Sequence, residues 1–152
     1  MKKTLQILGG ALLLILIIIG SAVAYVFYEG PRLDASSKAY VDQTLPLIVN
    51  AWSEDALWVR AAPELKQKVT REQVKDLFKK CSRELGNLRQ YDGSTGEANF
   101  GFAIKNGKVV TARYVVKSTF EKGTADVAVG LIEHDGHWQL LSFYVNSPLL
   151  IK

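Results

Sequence analysis

Both histidines of the chain stand in one short stretch, His134-Asp135-Gly136-His137. Imidazole and carboxylate groups this close together are the kind of set that could hold zinc. The stretch also has a plainer use. Asp-Gly suits a type I′ turn, in which both central residues take positive φ, and two histidines on an exposed hairpin leave a metal short of ligands. The turn reading is preferred, and no metal or other cofactor is expected. Cys81, the single cysteine, could serve as a nucleophile, yet it falls on the apolar stripe of a helix with no histidine fixed beside it, so it reads as core. Tyr114 and Tyr144 share one sheet face with Asn99 and Ser142, while Asp126 falls on the other face near Thr119. Inward tyrosines are far more often packing residues with satisfied hydroxyls than acids or bases. No catalytic motif emerges, and a non-enzymatic role is expected.

The elements that must position these groups begin with an apolar run. Ile7 to Tyr28 carries no charge, follows Lys2 and Lys3, and precedes Glu29-Gly30-Pro31. At about 1.5 Å rise per residue such a run spans the roughly 30 Å hydrocarbon core of a bilayer. A second reading is a signal peptide cut after Ala22-Val23-Ala24. The run continues through Tyr25, Val26, Phe27 and Tyr28, which suits an interfacial aromatic belt better than a new N-terminus. The expected organisation is an anchor over residues 1–30 and an exported α+β domain over 31–152. The lysines hold the N-terminus inside by the positive-inside bias, so the protein is expected in the inner membrane, single-pass, with its C-terminal domain periplasmic or extracellular.

Charge and length narrow the exported part. Of nineteen Lys and Arg, two precede the apolar run, leaving seventeen against fifteen Asp and Glu, too even a balance for a nucleic-acid footprint. One cysteine permits no internal disulfide. The residues beyond the anchor suffice for one core.

Gly30-Pro31 is expected to end the anchor helix. Asp34 or Ser36 then caps a second helix to about Ala51, with Val41, Leu45, Ile48 and Trp52 on one stripe and a kink from Pro46. A short helix or turn around Trp58 breaks at Pro63. Thr70 and Gln73 form a capping box for a helix whose stripe is Val74, Leu77, Phe78, Cys81 and Leu85, closed by Gly86. Beyond Gly86 the period changes to two. A short segment Leu88 to Tyr91 precedes strands of roughly Ala98 to Lys105, Lys108 to Glu121, Thr124 to His134 and His137 to Asn146, joined at Asn106-Gly107, Lys122-Gly123 and Asp135-Gly136.

Two-residue loops at all three turns pair Ile104 with Val109, Phe120 with Ala125, Val129 with Ser142 and Gly130 with Leu141. Val110, Ala112, Tyr114, Val116, Phe120, Val127, Val129, Leu131, Trp138, Leu140 and Tyr144 then share one face. Phe100, Phe102, Ile104, Val109, Val115, Ala128, Gly130, Ile132, Leu141, Phe143 and Val145 share the other, interrupted by Arg113 and Lys117. Two apolar faces require either a cover on the second or a bulge that shifts the register.

Helices with an apolar Trp near the end of the first, then a meander closing with Asp135, Gly136, Trp138, Leu140, Leu141, Ser142 and Phe143, resemble the nuclear-transport-factor-two-like, cystatin-like superfamily. The likeness is to small bacterial envelope members of unknown function, with one N-terminal span, and it covers about Asp34 to Ser147. It implies helices wrapped by a curved, cone-like four-stranded sheet, with frequent pairing through sheets. The expected role is therefore that of a membrane-anchored envelope protein engaged in protein-protein interaction or self-association. Phe102, Ile132, Leu141 and Phe143 would form the interface, to a second copy or another envelope protein. The alternative is a small apolar ligand, or a minor enzymatic activity, in a cone between Tyr114, Trp138 and Tyr144.

Overall fold

A computed structural model of the chain describes residues 2–103 and 107–151. It separates into two compact units, Met1–Leu33 and Asp34–Lys152. Helix α1 (Lys2–Val49) begins in the first and supplies the first helical segment of the second. It is helical through Gly30-Pro31, where a stop is expected, and it contains Pro46 as expected. A proline removes one N–H and crowds one carbonyl, and a helix this long keeps its remaining hydrogen bonds on either side. Asp34 therefore lies inside a helix and caps nothing.

In the first unit, α1 is one helix long and apolar enough to cross a membrane. The second unit has α2 (Glu54–Arg60), α3 (Pro63–Lys68), α4 (Arg71–Leu85), and the strands β1 (Leu88–Ala103), β2 (Gly107–Phe120), β3 (Thr124–His134) and β4 (His137–Asn146). The strands form one antiparallel sheet in the order β1-β2-β3-β4. This is the expected α+β meander. The capping box at Thr70 and Gln73 is present, and Gly86 closes α4 at φ 76°.

The end of α1 sets the core. Ser53 N–H donates to Ile48 O at 2.9 Å, the six-to-one bond of a Schellman closure, which puts Trp52 at φ 49° in the left-handed region. A side chain there costs on the order of 1–2 kcal/mol. The indole offsets it: Trp52 stacks on Phe120 at 5.2 Å, meets Phe78 edge-on at 5.6 Å, and donates Nε1–H to Gly86 O at 2.8 Å. Around it lie Leu45, Ile48, Leu57, Cys81, Leu85, Val116, Val127 and Leu140, all buried.

Three registers depart from the expected ones, with different results. Ala103 pairs with Gly107 and Phe100 with Val110, an odd shift that carries Phe100 to the core side. The expected partner of Val109, Ile104, lies outside the described residues. β1 also takes in the Leu88 to Tyr91 segment, through irregularities between Leu88 and Gln90 and between Tyr91 and Ser94. Between β2 and β3, Ser118 pairs with Ala125 and Phe120 N–H donates to Gly123 O at 2.7 Å. That slip is even, so the buried face survives it.

The third departure rearranges the faces. β3 and β4 leave their turn as expected, His134 opposite His137 and Leu131 opposite Leu140, with Asp135 and Gly136 at positive φ. A bulge then intervenes, so Gly130 meets Ser142 and Val129 meets Phe143. Every residue of β4 after Leu141 changes sides. Ala62 N–H donates to Leu140 O at 2.8 Å, and Ala61 bridges Leu140 in parallel, which covers the β4 edge beside the bulge.

Trp52→Ala should destabilise the chain by about 3–5 kcal/mol, because it empties the aromatic cluster. Ser118 Oγ is buried with no hydrogen-bond partner among the described residues. Ser118→Ala should therefore raise stability by about 1 kcal/mol. Thermal melts of the full chain check both.

Candidate functional site

Alternation along the ladder sorts the expected site residues. Tyr114, Val129 and Phe143 are cross-strand partners on the helix-covered face. Val115, Ala128 and Tyr144 are partners on the helix-free face. The expected pocket of Tyr114, Trp138 and Tyr144 is therefore divided: Tyr144 is 68% exposed on the far side, while Tyr114 is 2% exposed in the core. The expected interface is divided too. Phe143 turns inward and meets Phe78 edge-on at 5.6 Å. Ile132 keeps the helix-free side but is already buried, Leu141 is the extra residue of the bulge, and the side chain of Phe102 lies outside the described residues. One inserted residue thus exchanges Phe143 and Tyr144 between the two faces.

Tyr114 and Trp138 do meet the same stretch of α1. Tyr114 Oη lies 2.8 Å from Ser37 Oγ and donates to Asp34 O at 3.2 Å, and Trp138 Nε1–H donates to Ser36 Oγ at 3.0 Å. Burial pushes the Tyr114 hydroxyl above its ordinary pKa. It is a packed strut with a satisfied hydroxyl, unsuited to proton transfer near neutrality.

Next to it α1 fastens the edge of β1. Asp34 Oδ1 accepts Ala98 N–H at 2.6 Å. Asp42 Oδ1 accepts Tyr91 Oη at 2.7 Å and Ser94 N–H at 3.0 Å, and its Oδ2 accepts Lys38 Nζ at 2.6 Å. The carboxylate thereby satisfies a strand edge where the ladder is irregular. Burial opposes its ionisation, but the hydrogen bonds from Lys38, Ser94 and Tyr91 prevail and hold its pKa below the ordinary value. Burial and this same carboxylate raise that of Tyr91.

The histidines part ways. His134 Nε2 lies 2.9 Å from Glu64 Oε1 on α3, a contact with no counterpart in the sequence pattern. His137 is exposed beside the turn. Among the described residues no three His, Cys, Asp or Glu side chains are grouped to hold a metal. Cys81 is buried and its thiol is pushed up to about 11 by desolvation, which makes it an inert core residue.

An open concavity lies on the helix-free face. A groove of about 520 Å³ crosses β2, β3 and β4. Ala128 and Gly130 form its floor, Arg113, Val115, Leu141 and Tyr144 stand around it, and Lys68 at the end of α3 closes one side. A Cβ on residue 130 would collide with Ser142 Oγ, so glycine keeps the floor low. Arg113 was legible as a charge interrupting an apolar face; Lys68 was not, because only the packing of α3 beside β4 brings it there. The groove has cations, hydroxyls and exposed apolar surface, which equips it to bind. The chain matches no family model and no curated protein.

Phe143→Glu should abolish cooperative folding, while Tyr144→Glu should leave the melting temperature within a few degrees of wild type; circular dichroism melts of the two variants decide the facing. Asp42, with its folded pKa lowered, contributes stability that is present above its ordinary value of 3.8 and is lost as pH falls through the lower folded value. In melts taken from neutral pH down to pH 2, Asp42→Asn should lose part of this acid-side decline.

Proposed function

We propose that this is a single-span protein of the inner membrane, with an extracytoplasmic domain that works by binding a protein partner at the helix-free face of its sheet. The carrying observation is the run Leu12 to Ile19. Its eight consecutive aliphatic side chains are each between 52% and 61% exposed. A helix built to pack on protein hides one stripe and shows another. An apolar surface exposed on every side suits a solvent that is itself apolar on every side. Tyr25, Phe27 and Tyr28 at its end, all exposed, suit the headgroup level.

On this reading, the orientation follows from Lys2 and Lys3, and Asp34–Lys152 works outside the cytoplasm. The cone-like curvature and the kinship to nuclear-transport-factor-two-like envelope proteins belong to the same proposal, as does pairing of two domains as an alternative use of the face. Binding is favoured over catalysis because the tyrosine hydroxyls on the covered face are tied into struts. The groove volume falls within the range of ligand sites, so the alternative small-ligand role moves from the covered face to the open one.

The expected outcome of cell fractionation is an uncut chain in the membrane fraction, with a reporter fused to the C-terminus active outside the cytoplasm. A soluble product whose measured mass begins at Tyr25 overturns the anchor.

A further inference from the structure

Among the described residues the groove is lined by two bases, Arg113 and Lys68, and by no carboxylate. Arg71 pairs with Glu54 and Asp55, Arg83 with Glu84, Arg89 with Glu121, and Lys38 with Asp42. Arg113 and Lys68 hold no ion pair among the described residues; Glu97 is the ladder neighbour of Arg113, and the charge of Lys68 acts on Glu64 of the same helix. The same groove is lined by Tyr144 at 68% and Val115 at 43% exposure, open apolar side chains of the sheet. Below them is the floor of Ala128 and Gly130, where a backbone can come close. Resting on the reading of this face as the binding face, we infer that the groove receives an acidic, extended segment of a partner protein, with one carboxylate on Arg113 and another on Lys68.

The spacing defines the segment. Adjacent strands lie about 4.8 Å apart, so the step from β2 to β4 is about 10 Å, and Lys68 lies on α3 next to β4. An extended chain rises about 3.3 Å per residue, and residues i, i+2 and i+4 share one side over roughly 13 Å. Carboxylates at i and i+4 match the two cations, and an apolar side chain at i+2 meets the floor beside Tyr144. The recognised pattern is acidic, any, apolar, any, acidic. A second copy of this face is the poorer occupant. Its Arg113 and Lys117 would confront their own kind across a two-fold axis.

The test uses the full chain in nanodiscs of uncharged phosphatidylcholine. The probe is a fluorescein-labelled peptide, Ser-Glu-Ser-Leu-Ser-Glu-Ser, and its control has lysine at both glutamate positions. The glutamate peptide should raise the fluorescence anisotropy on binding, and the lysine peptide should not. Arg113→Ala should weaken binding by about tenfold, as for loss of a charge-assisted hydrogen bond, and raised salt should do likewise. Lys79→Ala, on exposed α4, should leave it unchanged. Equal binding of both peptides, no binding, or no effect of Arg113→Ala overturns the acidic segment. A photo-crosslinking side chain placed at position 144 in cells separates the two levels. An adduct to another protein with no peptide binding keeps the binding face and rejects acidic recognition. An adduct of twice the chain mass assigns the groove to a second copy and overturns the proposal. Absence of both adduct and peptide binding overturns the face itself.

Discussion

The left-handed turn at Trp52 is the constraint on which the rest of the domain depends. A helix would ordinarily close there on glycine, and a bulky residue at φ 49° persists only because its surroundings hold it. Those surroundings come from three elements. Phe120 ends β2, Phe78 is the middle of α4, and Gly86 O is the cap that joins α4 to β1. The residues after Gly86 continue the link, since Lys122 N–H donates to Leu85 O and Glu121 N–H to Asn87 O, each at 3.0 Å. One indole thus fixes the end of α1, the end of α4 and the β2–β3 turn against each other.

The other end of the domain is fixed by polar contacts. Asp34, Ser36, Ser37 and Asp42 all project from α1, and they meet Ala98, Trp138, Tyr114, Tyr91 and Ser94 of the sheet. Apolar packing at one end resists dissolution but tolerates small slips. Directional bonds to named backbone donors tolerate none, so together the two ends specify one alignment of helix on sheet.

The bulge after Leu140 links fold to function. It places Phe143 in the core and leaves Tyr144 outside, and it turns what would be two apolar faces into one buried face and one mixed face. A mixed face that carries cations, hydroxyls and exposed aromatic surface has the composition of a recognition surface rather than of an unfinished core. The Ala61–Ala62 contact at Leu140 keeps the bulged edge of β4 from pairing with other chains.

Much of this was legible in the residues alone. The apolar run, the Thr70–Gln73 box, the Gly86 cap, the Asp135-Gly136 turn and the four-stranded meander are local signals, set by side chains within a few positions of each other. The sorting of β2 and β3 side chains into two faces was legible as well, since period two is insensitive to an even slip, but not which of the two the helices cover. What the sequence could not determine depends on counting residues between distant partners. Whether Gly30-Pro31 stops a helix turns on the hydrogen bonds that flank it, and the number of residues in a hairpin loop turns on the twist of the strands it joins. The extra residue at Leu141 turns on the contact that Ala62 offers from another part of the chain. Each such unit displaced flips a side chain through the sheet, so the groove with Arg113, Tyr144 and Lys68 was decided by tertiary structure. A residue's type is local, and the face it occupies is the sum of every register before it.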